Sequence, residues 1–293
     1  NFLHLASYSS AFKGFVNAKY LKTKIYTSNK INDAIPYKTF YYSKDWAFCI
    51  TKDQYKKLFD KKNKKFFVNI DSTFSKGKMN YAELYLKGKS KREIILSTYI
   101  CHPNLANNEL FGQILAIKLI NKFKKINLRY SLRFLFLPET IGSIAYLNKN
   151  HGNLKKNFLA GFNLTCVAGP GKLAFLESKN TDSISQIFTE RVLKELNYSF
   201  KRHSFLDRGS DERQYSWPGN DLDFISLMYS KYSEYLEYHT SRDNLSFISP
   251  KNFKRIFEIY VSILNQINKS YFPKAINFCE PKMDKLIDYN KKF

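Results

Sequence analysis

Hydrophobic residues follow two periodicities that alternate along most of this chain. Beyond about residue 88, short apolar runs typical of buried strands are followed by segments in which apolar residues recur at helical spacing. Strands and helices that alternate in this way are typical of βα units with mostly parallel strands. We therefore predict an α/β sandwich core. The predicted strands are 93–99, 130–137, 160–167 and 224–228, and the predicted helices are 110–123, 142–150, 182–196 and 251–267.

The first 88 residues have a different pattern, in which short aromatic runs are separated by turn residues. This pattern predicts a small β domain. The aromatic runs are at 38–42, 46–50 and 66–70, and a further strand is predicted at 81–86. Apolar residues at helical spacing after Thr51 predict one short helix over 52–60. The charged run that follows Gly88 marks the predicted boundary between a β domain over 1–88 and the α/β domain over 89–293.

Composition and charge limit the classes of partner. The 293 residues are 44% hydrophobic, which is enough for a folded core, and the formal net charge is +23. Such a charge would suit a nucleic acid, but the lysines are scattered over loops and element ends, so specific nucleic-acid binding is disfavoured. Anionic substrates remain compatible with the charge. The main lysine-rich runs are at 61–65, 87–92, 122–125 and 149–156.

Cysteine usage and hydropathy predict a cytoplasmic protein. The four cysteines lie far apart and lack the spacing of a zinc ribbon or a disulfide framework, so we expect free thiols. The sequence shows no signal-peptide pattern and no apolar stretch near the roughly 20 residues that a membrane span requires. Because the first residue is Asn rather than Met, we expect upstream residues that this sequence does not include.

Four polar clusters end or interrupt the apolar runs, and together they predict a zinc hydrolase site. Imidazole and carboxylate ligands must reach one cation from separate strand ends, because each strand offers only one or two suitably aimed side chains. The carboxyl ends of the strands carry the ligands in open α/β sheets. The clusters are Cys101-His102-Pro103 with Asn107-Asn108-Glu109, Pro138-Glu139-Thr140, Gly209 to Arg213, and Tyr238-His239-Thr240.

His102 and Glu139 each follow a predicted strand directly. Pro103 stops the strand from continuing past His102, so the imidazole is expected at the sheet edge, either as a metal ligand or as a hydrogen-bonded structural residue. Glu139 ends a nearly continuous apolar run. A buried carboxylate needs a cation, an arginine partner or a raised pKa that suits general acid or base chemistry. The alternative to a catalytic role is an ion pair with Arg133 or Arg213.

The three remaining candidates also have structural alternatives. Glu109 lies at a predicted helix N-terminus, where the Asn107 to Glu109 run could simply cap the helix. Asp211 lies in a charged loop whose alternative interpretation is a solvated surface loop. His239 lies in an aromatic, polar segment, and the alternative is a histidine at a loop tip. Two histidines and one carboxylate suffice for catalytic zinc.

The same clusters resemble the aminopeptidase-like proteins found with bacterial polysaccharide biosynthesis. These proteins are distant relatives of the zinc exopeptidases, which include aminopeptidases and glutaminyl cyclase. The resemblance implies a three-layer αβα core with a small inserted β domain. Relatives also carry a C-terminal winged-helix domain, which would begin here soon after Cys279. The stretches that carry the resemblance are 3–9, 97–103, 106–110, 138–143, 209–215 and 237–241.

The resemblance also implies that the two-metal site of the exopeptidases is altered in this chain. Asn108 stands where they have a bridging aspartate, and Thr165 stands where they have another acidic ligand. Glu139 is a single glutamate, preceded by Pro138, where they usually have two. A neutral amide bridges two metal ions poorly. One zinc ion is therefore expected, rather than two.

The sequence thus predicts a zinc-dependent hydrolase of the aminopeptidase type, acting on an amide of a peptide, an amino acid or a modified sugar. His102 and His239 are the expected ligands, and Glu139 is the expected ligand or general base. Glu109 or Asp211 would complete the metal shell. Arg213 and Tyr238 are candidates for substrate anchoring or oxyanion stabilisation.

Two other classes of function remain open from the sequence. The first is a non-catalytic scaffold or binding protein that keeps the exopeptidase fold, which the missing acidic ligands favour. The second is a nucleic-acid binder, which only the charge and the winged-helix domain of relatives suggest. Self-association into a homo-oligomer is compatible with either class.

Overall fold

A computed structural model describes residues 4–60, 65–102 and 104–273. The N-terminal part contains two small two-stranded sheets, in which β1 pairs antiparallel with β4 and β2 pairs parallel with β3. The elements of this part are β1 (Phe12–Asn17), α1 (Ala18–Thr23), β2 (Ile25–Tyr26), β3 (Phe48–Cys49), α2 (Lys52–Phe59) and β4 (Lys65–Ile70). Thr51 caps α2 as predicted, accepting a hydrogen bond from the backbone of Gln54. The short helix α1 was not predicted.

A seven-stranded sheet forms the centre of the rest of the chain. Its strands are β5 (Ala82–Leu86), β6 (Ser90–Tyr99), β7 (Tyr130–Leu137), β8 (Phe158–Asn163), β9 (Leu173–Leu176), β10 (Lys201–His203) and β11 (Phe224–Tyr229). Their order is β10-β9-β11-β8-β6-β7-β5. Strands β6, β7, β8 and β11 run parallel, so their carboxyl ends meet at one edge of the sheet. Strands β5 and β9 are antiparallel to their neighbours β7 and β11.

Helices cover both faces of this sheet. They are α3 (Phe111–Phe123), α4 (Ile141–Asn157), α5 (Ile184–Glu195), α6 (Glu212–Tyr215) and α7 (Pro250–Lys269). One apolar core joins one sheet face to α3, α5 and α7, and a second core joins the other face to α4 and Tyr215 of α6. The predicted three-layer αβα fold is confirmed. No helix within the described ranges combines the length and the apolarity that crossing a membrane would need.

Several boundaries differ from those predicted. Strand β8 ends at Asn163 instead of reaching Val167, and Cys166 has a positive φ of 53° that extended backbone cannot accommodate. The predicted loop after Gly209 contains the short helix α6. Strands β9 and β10 have only four and three residues, and neither was predicted.

The predicted division of the chain near residue 88 remains a prediction. The structure adds that β5, which lies before this point, pairs with β7 in the large sheet. The segment around Tyr37 also contacts the α/β part of the chain. The backbone N–H of Tyr37 donates a hydrogen bond to the carbonyl oxygen of His239 at 2.7 Å. Pro36 forms an isolated bridge with Thr240. These contacts place an N-terminal segment beside the edge where β6 and β7 end.

The cysteines follow the expectation as far as the structure describes them. Cys49, Cys101 and Cys166 are free thiols. Cys279, like the segment where a winged-helix domain was expected to begin, lies outside the described residues.

Candidate metal centre

A cavity of about 440 Å³ opens at the carboxyl edge of the central sheet. It brings together four of the residues singled out in the sequence, which are His102, Glu139, Arg213 and His239. The N-terminal segment supplies the opposite wall. The other lining residues are Tyr8, Tyr37, Lys38, Thr39, Tyr41, Tyr42, Cys101, Pro138, Thr140 and Ile141.

His102 lies beyond the end of β6 and is buried, with 8% of its surface exposed. Its Nδ1 atom is 3.3 Å from Oε2 of Glu109 and 3.3 Å from Sγ of Cys101. Its Nε2 atom is on the other side of the ring, 3.6 Å from Oε2 of Glu139. The ring centroids of His102 and His239 are 5.2 Å apart. One nitrogen of His102 is therefore held by a carboxylate, and the other faces Glu139.

Glu109 anchors the backbone that carries His102. It lies in a π-helical turn, Ala106–Leu110, directly before α3. Its Oε2 atom accepts the backbone N–H of Cys101 at 2.7 Å and that of His102, and its Oε1 atom accepts from Gln113 at 3.1 Å. Cys101, His102 and Glu109 also place three potential ligand atoms within 4.8 Å of one another. Because both carboxylate oxygens already accept hydrogen bonds, the geometry favours orientation of His102 by Glu109 over direct ligation.

Glu139 extends from the turn after β7 into the cavity. Ser210 donates its hydroxyl to Oε1 of Glu139 at 2.7 Å, and the backbone N–H of Glu139 donates to Sγ of Cys101 at 3.2 Å. Burial raises the pKa of Glu139, although the charge of His102 opposes this shift. The ion pair with Arg133 that the sequence left open does not form, because Arg133 binds Glu93 instead.

Arg213 lies at the mouth of the cavity and is exposed. Its Nη2 atom donates to Oγ1 of Thr140 at 2.9 Å. Among the described residues, no carboxylate lies within ion-pair distance of Arg213, so the second ion pair considered for Glu139 does not form either.

His239 faces His102 across the cavity from a strained backbone position, with a φ of 54°. Its ring stacks on Tyr238 at 4.0 Å and meets Tyr37 edge-on at 5.3 Å. Its Nε2 atom is buried and has no hydrogen-bond partner within the described part of the chain. Nε2 of His151 and Nε2 of His203 are also buried without a partner, so what distinguishes His239 is its place in the cavity lining beside His102. Tyr238 lies behind the ring of His239 and is not among the residues that line the cavity.

The two imidazoles have opposite electrostatic environments. Burial disfavours the charged form of His102, but hydrogen bonds to Cys101 and Glu109 outweigh burial and raise its pKa to about 10. Burial, and then the neighbouring charge of His102, lower the pKa of His239 to about 3. His239 is thus neutral at pH 7, as a metal ligand must be, whereas a metal at Nε2 of His102 would have to displace a proton from that ring.

Asp211 lies next to the cavity but is fully buried under its wall. Its Oδ1 atom accepts the backbone N–H of Thr140 at 2.7 Å and the hydroxyl of Ser143 at 2.9 Å. Burial raises the pKa of Asp211 to about 7. These contacts hold the turn at Thr140, which has a positive φ of 64°. The structure therefore brings Asp211 to the support of Glu139, and not to the two histidines.

Asn108 and Thr165, the two neutral residues at which the sequence predicted an altered metal site, both contact the hydroxyl of Tyr99. The hydroxyl of Tyr99 accepts a hydrogen bond from Nδ2 of Asn108 at 3.1 Å and contacts Oγ1 of Thr165. All three side chains are buried. A neutral hydrogen-bond network thus occupies this side of His102, whose ring centroid is 5.4 Å from that of Tyr99.

Sequence reasoning missed Asp243, which is fully buried. Its carboxylate accepts the backbone N–H groups of Asn107 at 2.6 Å and Asn108 at 3.0 Å, and the hydroxyl of Tyr235 at 2.9 Å. It thereby fixes the π-helical turn that carries Glu109. Its place four residues after His239 in a polar segment was the available signal. Cys101 and Ser210 lie within the predicted clusters but were given no role, and Tyr37 had no comparable signal.

Comparison with known proteins supports this reading of the fold. The family described as "Domain of unknown function (DUF4910)" matches residues 22–270. This chain belongs to that family. A proposed polysaccharide biosynthesis protein with an aminopeptidase-like domain, from Clostridium acetobutylicum, is 36% identical over 290 residues. The match covers 97% of this chain and 65% of that relative, so the chain spans just under two thirds of its length.

Solved structures show the same architecture. The crystal structure of a proposed peptidase from C. acetobutylicum is similar with a TM-score of 0.87 and 34% identity, over 97% of this chain and 67% of that one. A zinc aminopeptidase from Bacillus subtilis has a TM-score of 0.67 at 14% identity, over 85% of this chain and 65% of that one. A glutaminyl cyclase from an Acidobacteriales bacterium has a TM-score of 0.52 at 15% identity, over 65% of this chain and 74% of that one. The resemblance predicted from the sequence is confirmed, and the last two likenesses concern the fold alone.

Proposed function

We propose that this protein is a zinc-dependent hydrolase of the aminopeptidase type that cleaves an amide of a peptide, an amino acid or a modified sugar. The observation that carries the proposal is that His102, His239 and Glu139 line one cavity, with the two imidazole rings 5.2 Å apart and Nε2 of His102 3.6 Å from Glu139. The Nε2 atom of His239 is buried and has no hydrogen-bond partner in the described part of the chain. A role in surface polysaccharide biosynthesis is part of the proposal, and its support is the name of the C. acetobutylicum relative, a polysaccharide biosynthesis protein. A cytoplasmic location is also part of the proposal and rests on the scattered cysteines of the sequence.

His102, His239 and Glu139 have the ligand types of one zinc site, whereas the three ligand atoms that the described residues bring within 4.8 Å of one another belong to Cys101, His102 and Glu109. Two imidazole nitrogens and one carboxylate oxygen are the ligands of many catalytic zinc sites, which leave a fourth position open. The carboxylate of Glu109 at Nδ1 of His102 is the partner that metal-ligating histidines usually have, since it fixes the ring and leaves Nε2 free. A second ion lacks acidic ligands, because Asn108 and Thr165 are neutral and bound to Tyr99.

Each residue of the cavity has its own role in the proposed hydrolysis. When bound, zinc supplies a Lewis acid for the amide carbonyl and lowers the pKa of a bound water. Glu139 serves as a ligand or as the base that takes a proton from water, and Ser210 fixes its orientation. Arg213 lies at the mouth, where it can hold a polar group of the substrate. Tyr37 and His239 contact each other edge-on and form part of the cavity wall on the N-terminal side.

A second candidate is a metal-binding protein of the same fold without catalytic activity. Pro138 lines the cavity where the exopeptidases usually have another glutamate, so Glu139 is the one acidic residue in the lining that the structure describes. If Glu139 ligates the metal, no further carboxylate is present there to act as a base. This candidate predicts bound zinc without amide hydrolysis.

Metal content separates these candidates from a metal-free protein. We expect about one zinc per chain after exposure to zinc and dialysis, and loss of most of it in His102→Ala, because two donors cannot hold zinc tightly. Glu139→Gln should abolish hydrolysis of aminoacyl and N-acyl-sugar substrates. Atomic absorption and amine-release assays provide the two measurements.

The matched control is His151→Ala, which removes a histidine of α4 that does not line the cavity. It should keep zinc and activity. A wild-type protein that binds no zinc, or hydrolysis that survives both cavity substitutions, would refute the zinc hydrolase. Zinc binding without hydrolysis of any of these substrates would favour the non-catalytic candidate.

Glu109 offers a test of the supporting carboxylate. We expect Glu109→Gln to weaken zinc binding by about 10- to 100-fold, because the substituted amide no longer carries the charge that orients Nδ1 of His102. Competition with a chromophoric chelator measures the zinc dissociation constant. Glu190→Gln, which alters a partly exposed glutamate of α5, is the control and should leave zinc affinity unchanged. Equal affinity in the Glu109 variant would exclude this orienting role.

A further inference from the structure

The cavity contains more fixed positive charge than its candidate chemistry requires. Lys38 and Arg213 both line it, and neither lies within ion-pair distance of a carboxylate in the described part of the chain. Arg213 uses one donor on Thr140, and its guanidinium has five N–H groups in a planar fork. Lys38 packs its ammonium 5.1 Å from the ring of Tyr26, so its contribution is the weaker one.

An aminopeptidase substrate would need the opposite charge. Its free α-ammonium requires an anionic or carbonyl partner, but Glu139 is the one carboxylate among the described lining residues. Glu139 already accepts from Ser210 and faces His102. No carboxylate of the described lining is left to receive an ammonium group, whereas Arg213 has donors left for an anion and Lys38 adds positive charge from its position over Tyr26.

The rim of the cavity adds a second kind of recognition. Tyr8, Tyr41 and Tyr42 are 53%, 39% and 87% exposed. They form a continuous aromatic group, with ring centroids 5.2 Å apart for Tyr8 and Tyr41 and 4.8 Å apart for Tyr41 and Tyr42. Exposed rings at a cavity mouth offer apolar faces for a planar or cyclic group, together with hydroxyls for its polar atoms.

We propose that this cavity selects substrates that carry an anionic oxygen group, a carboxylate or a phosphate, beside the amide, rather than substrates with a free amino terminus. An N-acyl amino acid or an N-acylated sugar acid or sugar phosphate has this chemistry. Arg213 holds the anionic group through its planar fork, Lys38 adds to the local positive potential, and the tyrosines contact the ring or side chain. The inference rests on the proposed function in that it names the substrate class of the same cavity.

Matched pairs of ligands that differ only in charge test the inference. N-acetyl-L-tyrosine should bind at least about tenfold more tightly than N-acetyl-L-tyrosinamide, which corresponds to about one charge-assisted hydrogen bond. N-acetylglucosamine 6-phosphate should likewise bind more tightly than N-acetylglucosamine. Titration calorimetry on the chain after exposure to zinc and dialysis measures all four. The pair with the larger difference identifies whether the anion is a carboxylate or a phosphate.

Substitutions test whether Arg213 is responsible for the tighter binding of the charged ligands. Arg213→Gln should remove most of the difference between the charged and neutral ligands without weakening the neutral one, and Arg213→Lys should restore part of it. Arg191→Gln is the matched control, since it makes the same charge change on α5 outside the cavity lining. If Arg213→Gln does not fold, as judged by its thermal melting curve, Lys38→Gln should still reduce the preference.

Two results would overturn the inference. One is equal binding of charged and neutral ligands in both pairs. The other is a loss of preference in Arg191→Gln as large as that in Arg213→Gln, which would assign the effect to the net charge of +23. The zinc measurement keeps this inference separate from the proposed function, because anion preference without zinc, or zinc without anion preference, refutes only one of them.

Discussion

Replacing Arg133 with methionine is expected to lower the free energy of unfolding by about 3 to 5 kcal/mol, the usual cost of removing one partner from a buried ion pair. Arg133 of β7 binds Glu93 of β6 through two hydrogen bonds, of 2.6 and 2.9 Å. Glu93 is 2% exposed. Methionine keeps much of the packing volume but leaves the charge of Glu93 buried without a partner.

The loss of stability should extend to the edge strand β5 of the sheet. Arg133 also pairs with Glu83 of the edge strand β5, and Tyr146 of α4 donates to the same glutamate at 2.8 Å. The guanidinium therefore links three strands and one helix. Urea unfolding monitored by circular dichroism gives the change in free energy, provided that the slope is the same in both proteins.

Two further variants distinguish the effect of breaking the buried ion pair from the effect of removing a positive charge at the surface. Arg133→Met combined with Glu93→Leu should recover most of the loss, because a well-packed apolar pair can replace a buried ion pair. Lys201→Met removes a surface ion pair with Glu234, in which the side chains are 59% and 41% exposed, and should cost at most about 1 kcal/mol. A single Arg133 variant as stable as the Lys201 variant would contradict the assigned role.

The core could be predicted from the sequence because its signals are local. The apolar run of β7 and the helical spacing of α7 are each sufficient to identify the element, and Ser249 with Pro250 marks the start of α7. The short strands β9 and β10 have too few residues for a periodicity to appear. Their structure comes from pairing with strands distant in the sequence, which no local pattern encodes.

The candidate site was predictable only in part, because some of its contacts join residues that are distant in the sequence. His102 and Glu139 follow strands that run parallel, so their meeting at one edge followed from the predicted fold. Their metal chemistry remains a prediction. The partners of Glu109 and Asp211 could not be read from the sequence, because a buried carboxylate can bind a metal or backbone N–H groups equally well by its residue type alone. The wall at Tyr37 depends on a contact with His239 that joins distant parts of the chain.

Gly112→Ala is the second substitution with a large expected effect, a loss of about 3 kcal/mol. Gly112 lies in the first turn of α3, where the helix approaches the central sheet. A Cβ atom here would be 2.3 Å from the carbonyl oxygen of Leu164 and 2.6 Å from Oγ1 of Thr98. These two atoms also share a hydrogen bond of 2.9 Å, so neither can move aside without breaking it.

The Gly112→Ala substitution should also affect the candidate metal centre. The turn that precedes α3 carries Glu109, which holds the backbone of Cys101 and His102. If alanine displaces α3 from the sheet, Glu109 moves with it, and we expect zinc affinity to fall together with stability. Gly152→Ala is the control, since a Cβ at this position of α4 meets nothing within 4 Å and should stabilise the helix by about 0.5 to 1 kcal/mol. Unchanged stability and zinc affinity in Gly112→Ala would show that the close approach of α3 to the sheet does not position Glu109.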